Sequence, residues 1–177
     1  MLKILIVDNL ELARQGIKAL IDNETEIEII GFAKDGLEAI EFVQNSSIKP
    51  NIVLTDLFLP KIGGIKVTEE ICRQFPEIKI IIVSDLKNKK VAICAIETGA
   101  YGYLLKNKLN NKNLTNAIWS AHYGYIQIDA EIINHSVLIE SVERFDDSVT
   151  TGSFPSHNIV TDVAEKKEEH IVEDVWL

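Results

Sequence analysis

Cysteine is scarce in this sequence: Cys72 and Cys94 are the two among 177 residues. Both fall in stretches with helical patterning and lack a neighbour at metal-ligand spacing. They therefore read as reduced core or near-core thiols, not as a disulfide or metal framework. No apolar run approaches the roughly 20 residues that a bilayer span requires. The opening run, Met1-Leu2-Lys3-Ile4-Leu5-Ile6-Val7-Asp8, turns acidic too soon for a secretory leader and reads as a first β-strand. Basic side chains are nearly missing from the far end. Residues 140–177 hold 10 acidic and 3 basic groups, against 17 and 15 over residues 1–139. Such a stretch cannot neutralise a phosphate backbone, which argues against wrapping around nucleic acid.

What is present is a soluble, globular composition, 46% hydrophobic and 25% charged, with isoleucine-rich runs suited to buried strands. Two periodicities alternate over the first 122 residues. Short apolar runs at 2–7, 28–33, 51–56, 79–83 and 102–105 read as strands, and helical patterns occupy 10–21, 36–44, 64–75, 89–98 and 110–122. Glycine and proline punctuate the joints, notably Pro50, Pro60, Gly63-Gly64, Pro76 and Gly99. Strands alternating with helices predict an α/β fold, a doubly wound parallel sheet covered on both faces. The unbroken runs Ile4-Leu5-Ile6-Val7 and Ile80-Ile81-Ile82-Val83 fit strands buried on both sides. The flavodoxin-like strand order 2-1-3-4-5 suits this pattern, although periodicity alone does not settle it.

The chain divides into residues 1–122, a connecting stretch at 123–144 and an acidic C-terminal extension at 145–177. The connector holds a short extended piece at 125–129 and a helical pattern at 130–142. The extension is polar and turn-prone, with room for one short helix after residue 159.

In an open α/β sheet, ligands gather at the carboxyl ends of the strands. This sequence places Asp8-Asn9, Asp56, Ser84-Asp85 and Lys106 there. Singly, each has an ordinary reading: Asp8 as a helix cap, Ser84 as a loop hydroxyl, Lys106 as a surface charge. Together they make a site. A carboxylate such as Asp56 attacks phosphorus only if charge repulsion is offset. A hard divalent cation such as Mg²⁺ does this, held by one or two carboxylates, a carbonyl and water. Asp8, Asn9, Asp56 and the backbone carbonyl of Phe58 supply candidate oxygens. Lys106 offers a fixed positive charge to a phosphoryl oxygen, and Ser84 offers a hydroxyl.

Four blocks carry a family resemblance: Leu5-Ile6-Val7-Asp8-Asn9; Asn51-Ile52-Val53-Leu54-Thr55-Asp56-Leu57-Phe58-Leu59-Pro60 with Gly64; Ile81-Ile82-Val83-Ser84; and Gly99-Ala100-Tyr101-Gly102-Tyr103-Leu104-Leu105-Lys106. Over residues 1–122 the chain resembles the receiver domains of bacterial response regulators, the last block most of all those joined to a LuxR/NarL-type helix-turn-helix. The resemblance implies that Asp56 is the phosphoacceptor, that Asp8 helps bind Mg²⁺, and that Lys106 and Ser84 sense the phosphoryl group. Tyr103 matches the aromatic switch position. A histidine kinase or phosphotransfer protein is the implied donor and a protein the implied output partner. The implied location is the cytoplasm, or the stroma for a plastid-encoded chain.

Several positions depart from the family pattern. Asn9 stands where a second acidic residue is usual, which lowers the expected Mg²⁺ affinity. Asp85 replaces a small residue, and Phe58 and Leu86 flank the route of an attacking water, so slow loading and slow hydrolysis are expected. A DNA-binding output domain needs a recognition helix with basic residues, yet only Arg144, Lys166 and Lys167 are basic beyond residue 139. Direct DNA binding is therefore not expected. Two other readings stay open, a phosphorylation-independent pseudo-receiver and a transcription regulator with a truncated output domain, and a homodimer is among the expected partners. A hydrolase with an Asp nucleophile is disfavoured, because the acid/base position two residues on is Phe58.

Overall fold

The structure, a computed structural model, describes residues 1–133. Its elements run β1 (Leu2–Val7), α1 (Glu11–Ile21), β2 (Ile27–Ala33), α2 (Gly36–Asn45), β3 (Ile52–Thr55), α3 (Gly64–Gln74), β4 (Lys79–Ser84), α4 (Lys89–Glu97) and β5 (Ala100–Leu105). A single 3-10 turn (Lys106–Lys108), α5 (Asn111–His122) and β6 (Gln127–Ile128) follow. The first five strands pair in the order 2-1-3-4-5, as the sequence leads one to expect, and β6 adds a sixth parallel strand beside β5. Part of the connecting stretch therefore belongs to the sheet. Of the helix expected at 130–142, residues 130–132 form a turn, and the remainder, like the extension at 145–177, lies outside the described residues.

The period of two along each strand sends alternate side chains to opposite faces, and both faces are dry. Leu5, Val7, Val53, Ile80, Ile82, Tyr103 and Leu105 share one core with Val43 of α2, Ile71 of α3 and Ala95 of α4. Ile4, Ile6, Ile52, Leu54, Ile81, Val83 and Leu104 share the other with Ile17 of α1 and Leu114 and Ile118 of α5. Each fully buried isoleucine or leucine contributes about 1.5–3 kcal/mol of transfer free energy. The central strands consequently hold their carboxyl ends rigidly.

Helix starts are set by local chemistry. The Asp35 side chain accepts a hydrogen bond from the Glu38 amide and caps α2, and Asn88 does the same for α4 through the amides of Lys90 and Val91. Asn110 and Asn113 form a reciprocal capping box at the head of α5. At the head of α3 the constraint is steric. A Cβ on Gly64 would lie 2.1 Å from the Asp56 carbonyl oxygen, so only glycine lets α3 begin against the end of β3. The two cysteines are free and half-buried, and burial pushes the Cys72 thiol pKa up, as expected for an inert structural thiol. Among the described residues, no helix is long and apolar enough to cross a membrane.

Candidate functional site

Parallel register brings the strand ends onto one rim. Val7 pairs with Thr55 across β1 and β3, so Asp8 and Asp56 leave the sheet side by side. The Asp56 amide donates to the Val7 carbonyl at 2.8 Å, and the Asp8 amide donates to the Ala33 carbonyl at 3.1 Å. Ser84 pairs with Leu105 across β4 and β5, which sets Lys106 next to the end of β4.

Lys106 reaches back over this rim. Its ammonium lies 2.7 Å from Asp8 Oδ2 and 2.9 Å from Asp56 Oδ2, joining the two carboxylates. Asp8 is 1% exposed, Asp56 7% and Ser84 fully buried, so these charges interact with little solvent screening. Each carboxylate is also held by backbone: Asp56 Oδ1 accepts from the Leu57 amide at 2.7 Å, and Asp8 Oδ1 from the Leu10 amide at 2.8 Å. Burial pushes the Asp56 pKa up, and the Lys106 hydrogen bond only partly offsets this. Burial works against the charge on Lys106, but its hydrogen bonds to Asp8 and Asp56 prevail and raise its pKa.

Two carboxylates and one ammonium leave an excess negative charge. Asp8 Oδ2 is buried and faces the Lys106 ammonium, with no N–H or O–H donor besides it among the described residues. A buried carboxylate oxygen of that kind is a fit for a hard cation. Among the described residues no group of three His, Cys, Asp or Glu side chains is placed to hold a metal. Buried carboxylate oxygens are the hard donors that Mg²⁺ takes, alongside several waters.

The remaining sequence candidates are distributed around this centre. Asn9 and Asp85 are exposed on the rim, and Phe58 is 60% exposed. Leu86 is half-buried and packs on the core. Its amide donates to Ser84 Oγ at 3.3 Å and its carbonyl accepts from the Tyr103 hydroxyl at 2.8 Å. Tyr103 is itself fully buried, so the aromatic switch candidate is tied to the loop that follows Ser84.

Sequence reasoning missed several contacts. Arg14 donates to the Asp8 carbonyl at 2.6 Å, six residues back around the head of α1. Lys61, with φ 65°, pairs at 2.7 Å with buried Asp35, linking the β2–α2 and β3–α3 loops. That ion pair lowers the Asp35 pKa, and the Glu38 amide assists. Nothing in the spacing of Asp35 and Lys61 along the sequence joins them.

Residues 4–119 match the family model described as response regulator receiver domain. The chain is 31% identical over 105 residues to the transcriptional regulatory protein DegU of Brevibacillus brevis, covering 59% of this chain and 44% of that one. It is 31% identical over 132 residues to the transcriptional regulatory protein LiaR of Bacillus subtilis (strain 168), covering 75% and 61%. The chain thus spans about half the length of these relatives. A two-component response regulator of the LuxR family from Aurantimonas sp. SI85-9A1 superposes with TM-score 0.70 at 28% identity, over 79% of this chain and 97% of that one. The isolated receiver domain of RcsB from Salmonella enterica serovar Typhimurium, solved with phosphomimetic BeF3-, shares the fold at TM-score 0.67 and 20% identity, over 74% and 95%. Receiver domains of this kind are signalling modules rather than metabolic enzymes, and typically bind Mg²⁺ at their acidic pocket. With a family match over most of its described residues and relatives of the LuxR/NarL type, the chain belongs to the response-regulator receiver family of two-component signalling.

Proposed function

We propose that this chain is a phosphorylation switch in which Asp56 takes a phosphoryl group from a histidine kinase or phosphotransfer protein. The observation that carries this reading is the Lys106 ammonium bridging Asp8 and Asp56 in a buried pocket. Asp56 Oδ attacks phosphorus, the bond from phosphorus to the donor nitrogen breaks with its electron pair going to that nitrogen, and the donor histidine, protonated on its other ring nitrogen, leaves as neutral imidazole. Lys106 then stabilises a phosphoryl oxygen, while Ser84 donates its hydroxyl to another. Asp8, Asp56, the Phe58 carbonyl and the Asn9 amide are the residues assigned to Mg²⁺, which when bound offsets the repulsion between phosphoryl group and carboxylates. The receiver assists its own phosphorylation and is otherwise no enzyme.

The added charge draws Ser84 and Lys106 inward, and Tyr103 reports the change on the surface around α4, β5 and α5. We assign the output to a protein partner, with homodimerisation as one form of it. Within residues 140–177 only three side chains are basic, so no DNA contact is assigned to that stretch. The assigned location is the cytoplasm, or the stroma for a plastid-encoded chain. Phosphate introduced with acetyl phosphate and Mg²⁺ is expected on the wild type and absent from Asp56→Asn. With Phe58 and Leu86 two positions beyond the acceptor and Ser84, the label should decay slowly; a half-life of seconds contradicts the assigned water route. One observation favours a second reading. Asn9 removes a negative charge from the rim, and no labelling at millimolar Mg²⁺ would make the chain a phosphorylation-independent interaction module.

A further inference from the structure

The segment that follows α5 contacts both the loop after Ser84 and the turn that begins at Lys106. β6 pairs with β5 only through Gly102 to Gln127 and Tyr103 to Ile128. Beyond that point the side chain of Asp129 continues the ladder: its Oδ2 accepts the Leu105 amide at 2.8 Å, and its own amide donates to the Tyr103 carbonyl at 3.1 Å. Leu105 is 2% exposed, so its N–H has no ready recourse to water if that carboxylate is removed. The next residue is Lys106.

Two residues further on, Glu131 spans a gap. One carboxylate oxygen lies 2.9 Å from Lys108, two residues past Lys106, and the other lies 3.0 Å from Lys87, three residues past Ser84. Ile132 is 3% exposed and packs into the same core as Tyr103. A backbone clamp, a double ion pair and an apolar anchor thus act on the loops bearing Ser84 and Lys106. Neither Asp129 nor Glu131 touches the carboxylate pocket.

We propose that Asp129 and Glu131 form a clasp of positioning residues, holding the Ser84 and Lys106 loops at the separation that a phosphoryl group on Asp56 requires. This rests on the phosphorylation reading of the site. The clasp acts on the phosphoryl end and leaves the metal end, built on Asp8, alone. It also makes the connector part of the switch: movement of Lys106 toward a phosphoryl group pulls directly on residues 129–132.

The test uses the full chain with acetyl phosphate. Three quantities are measured for each variant: the initial rate of Asp56 labelling at saturating Mg²⁺, the Mg²⁺ affinity from backbone amide shifts, and the melting temperature. Asp129→Ala is expected to slow labelling by roughly tenfold, the equivalent of one buried hydrogen bond, with Mg²⁺ affinity unchanged. Asp129→Asn, which keeps an acceptor oxygen, should recover most of the rate. Glu131→Lys should slow labelling by about two- to fivefold, the range for exposed ion pairs. Adding Lys87→Glu and Lys108→Glu to it should restore the rate. Wild-type labelling with all variants at the same rate overturns the clasp alone, as does a loss that tracks melting temperature and Mg²⁺ affinity or is not recovered by Asn. An unlabelled wild type overturns the clasp together with the reading beneath it.

Discussion

Replacing Lys106 with methionine keeps the length and apolar stem of the side chain but strands Asp8 and Asp56, two carboxylates 1% and 7% exposed, without their shared cation. Removing one partner of a buried ion pair costs about 3–5 kcal/mol. Two features reduce that here. The Lys106 side chain is 17% exposed, so water enters where it leaves. In addition, one carboxylate escapes the penalty by taking a proton. From an ordinary aspartate pKa, that escape costs about 4 kcal/mol at pH 7 and about 1.5 kcal/mol at pH 5, at 1.36 kcal/mol per unit. The expected loss is therefore about 2–3 kcal/mol at pH 7, and no more than about 1.5 kcal/mol at pH 5. The sign follows from proton uptake: a carboxyl whose folded pKa is raised binds protons more readily in the native state, so its penalty grows as pH rises and fades on acidification. Urea unfolding of wild type and Lys106→Met at both pH values measures the difference, with the slope checked for constancy. At pH 7 the melting temperature should drop by roughly 2–4 °C per kcal/mol. Equal midpoints at pH 7, or a deficit at pH 5 as large as that at pH 7, would refute the view that Lys106 neutralises buried carboxylates.

Other expectations concern the same rim and its supports. Asn9→Asp restores a charge at the metal end and should tighten Mg²⁺ binding by roughly tenfold, about 1.4 kcal/mol in free energy, as read by amide shifts during titration. Asp35→Ala removes the α2 cap and the partner of Lys61, and should cost about 1–2 kcal/mol at pH 7. Because the Asp35 pKa is lowered on folding, that contribution is present above the unfolded value and fades as pH falls through the lower folded value; the gap in urea midpoints should shrink steadily on acidification below the ordinary aspartate pKa. Gly64→Ala drives a methyl into the Asp56 carbonyl and should cost about 1–3 kcal/mol by overpacking, with labelling of Asp56 reduced alongside.

The layered α/β arrangement was legible because both periodicities were present and the strands were apolar on both faces. Asp56, Asp8, Ser84 and Lys106 were legible because each directly follows or ends a strand, so chain position already placed them on one rim. The strand order needed the family resemblance; no local pattern distinguishes 2-1-3-4-5 from other windings. Lys61 and Arg14 were hidden for a different reason: their partners are distant in sequence or are backbone atoms, to which composition and spacing are blind. β6 was seen as an extended piece but not as part of the sheet, since two residues carry no readable alternation. Asp129 and Glu131 carry no signal in the sequence for what they touch, and only the register of β5 and β6 reveals where they reach.

β6 has a further consequence, for the sheet as a surface. A parallel sheet normally ends in a strand whose free N–H and C=O groups invite another chain to pair, and short edge strands are one way proteins prevent this. Here the six-residue β5 is not the edge; a two-residue strand is, and Asp129 occupies the next free amide with a charged side chain. A chain ended at residue 122 would lay β5 open along Ala100-Tyr101-Gly102-Tyr103-Leu104-Leu105, an uncharged and aromatic segment. β6 and Asp129 thus cover part of that edge, so trimming this receiver to its five-strand core is expected to yield a stickier protein.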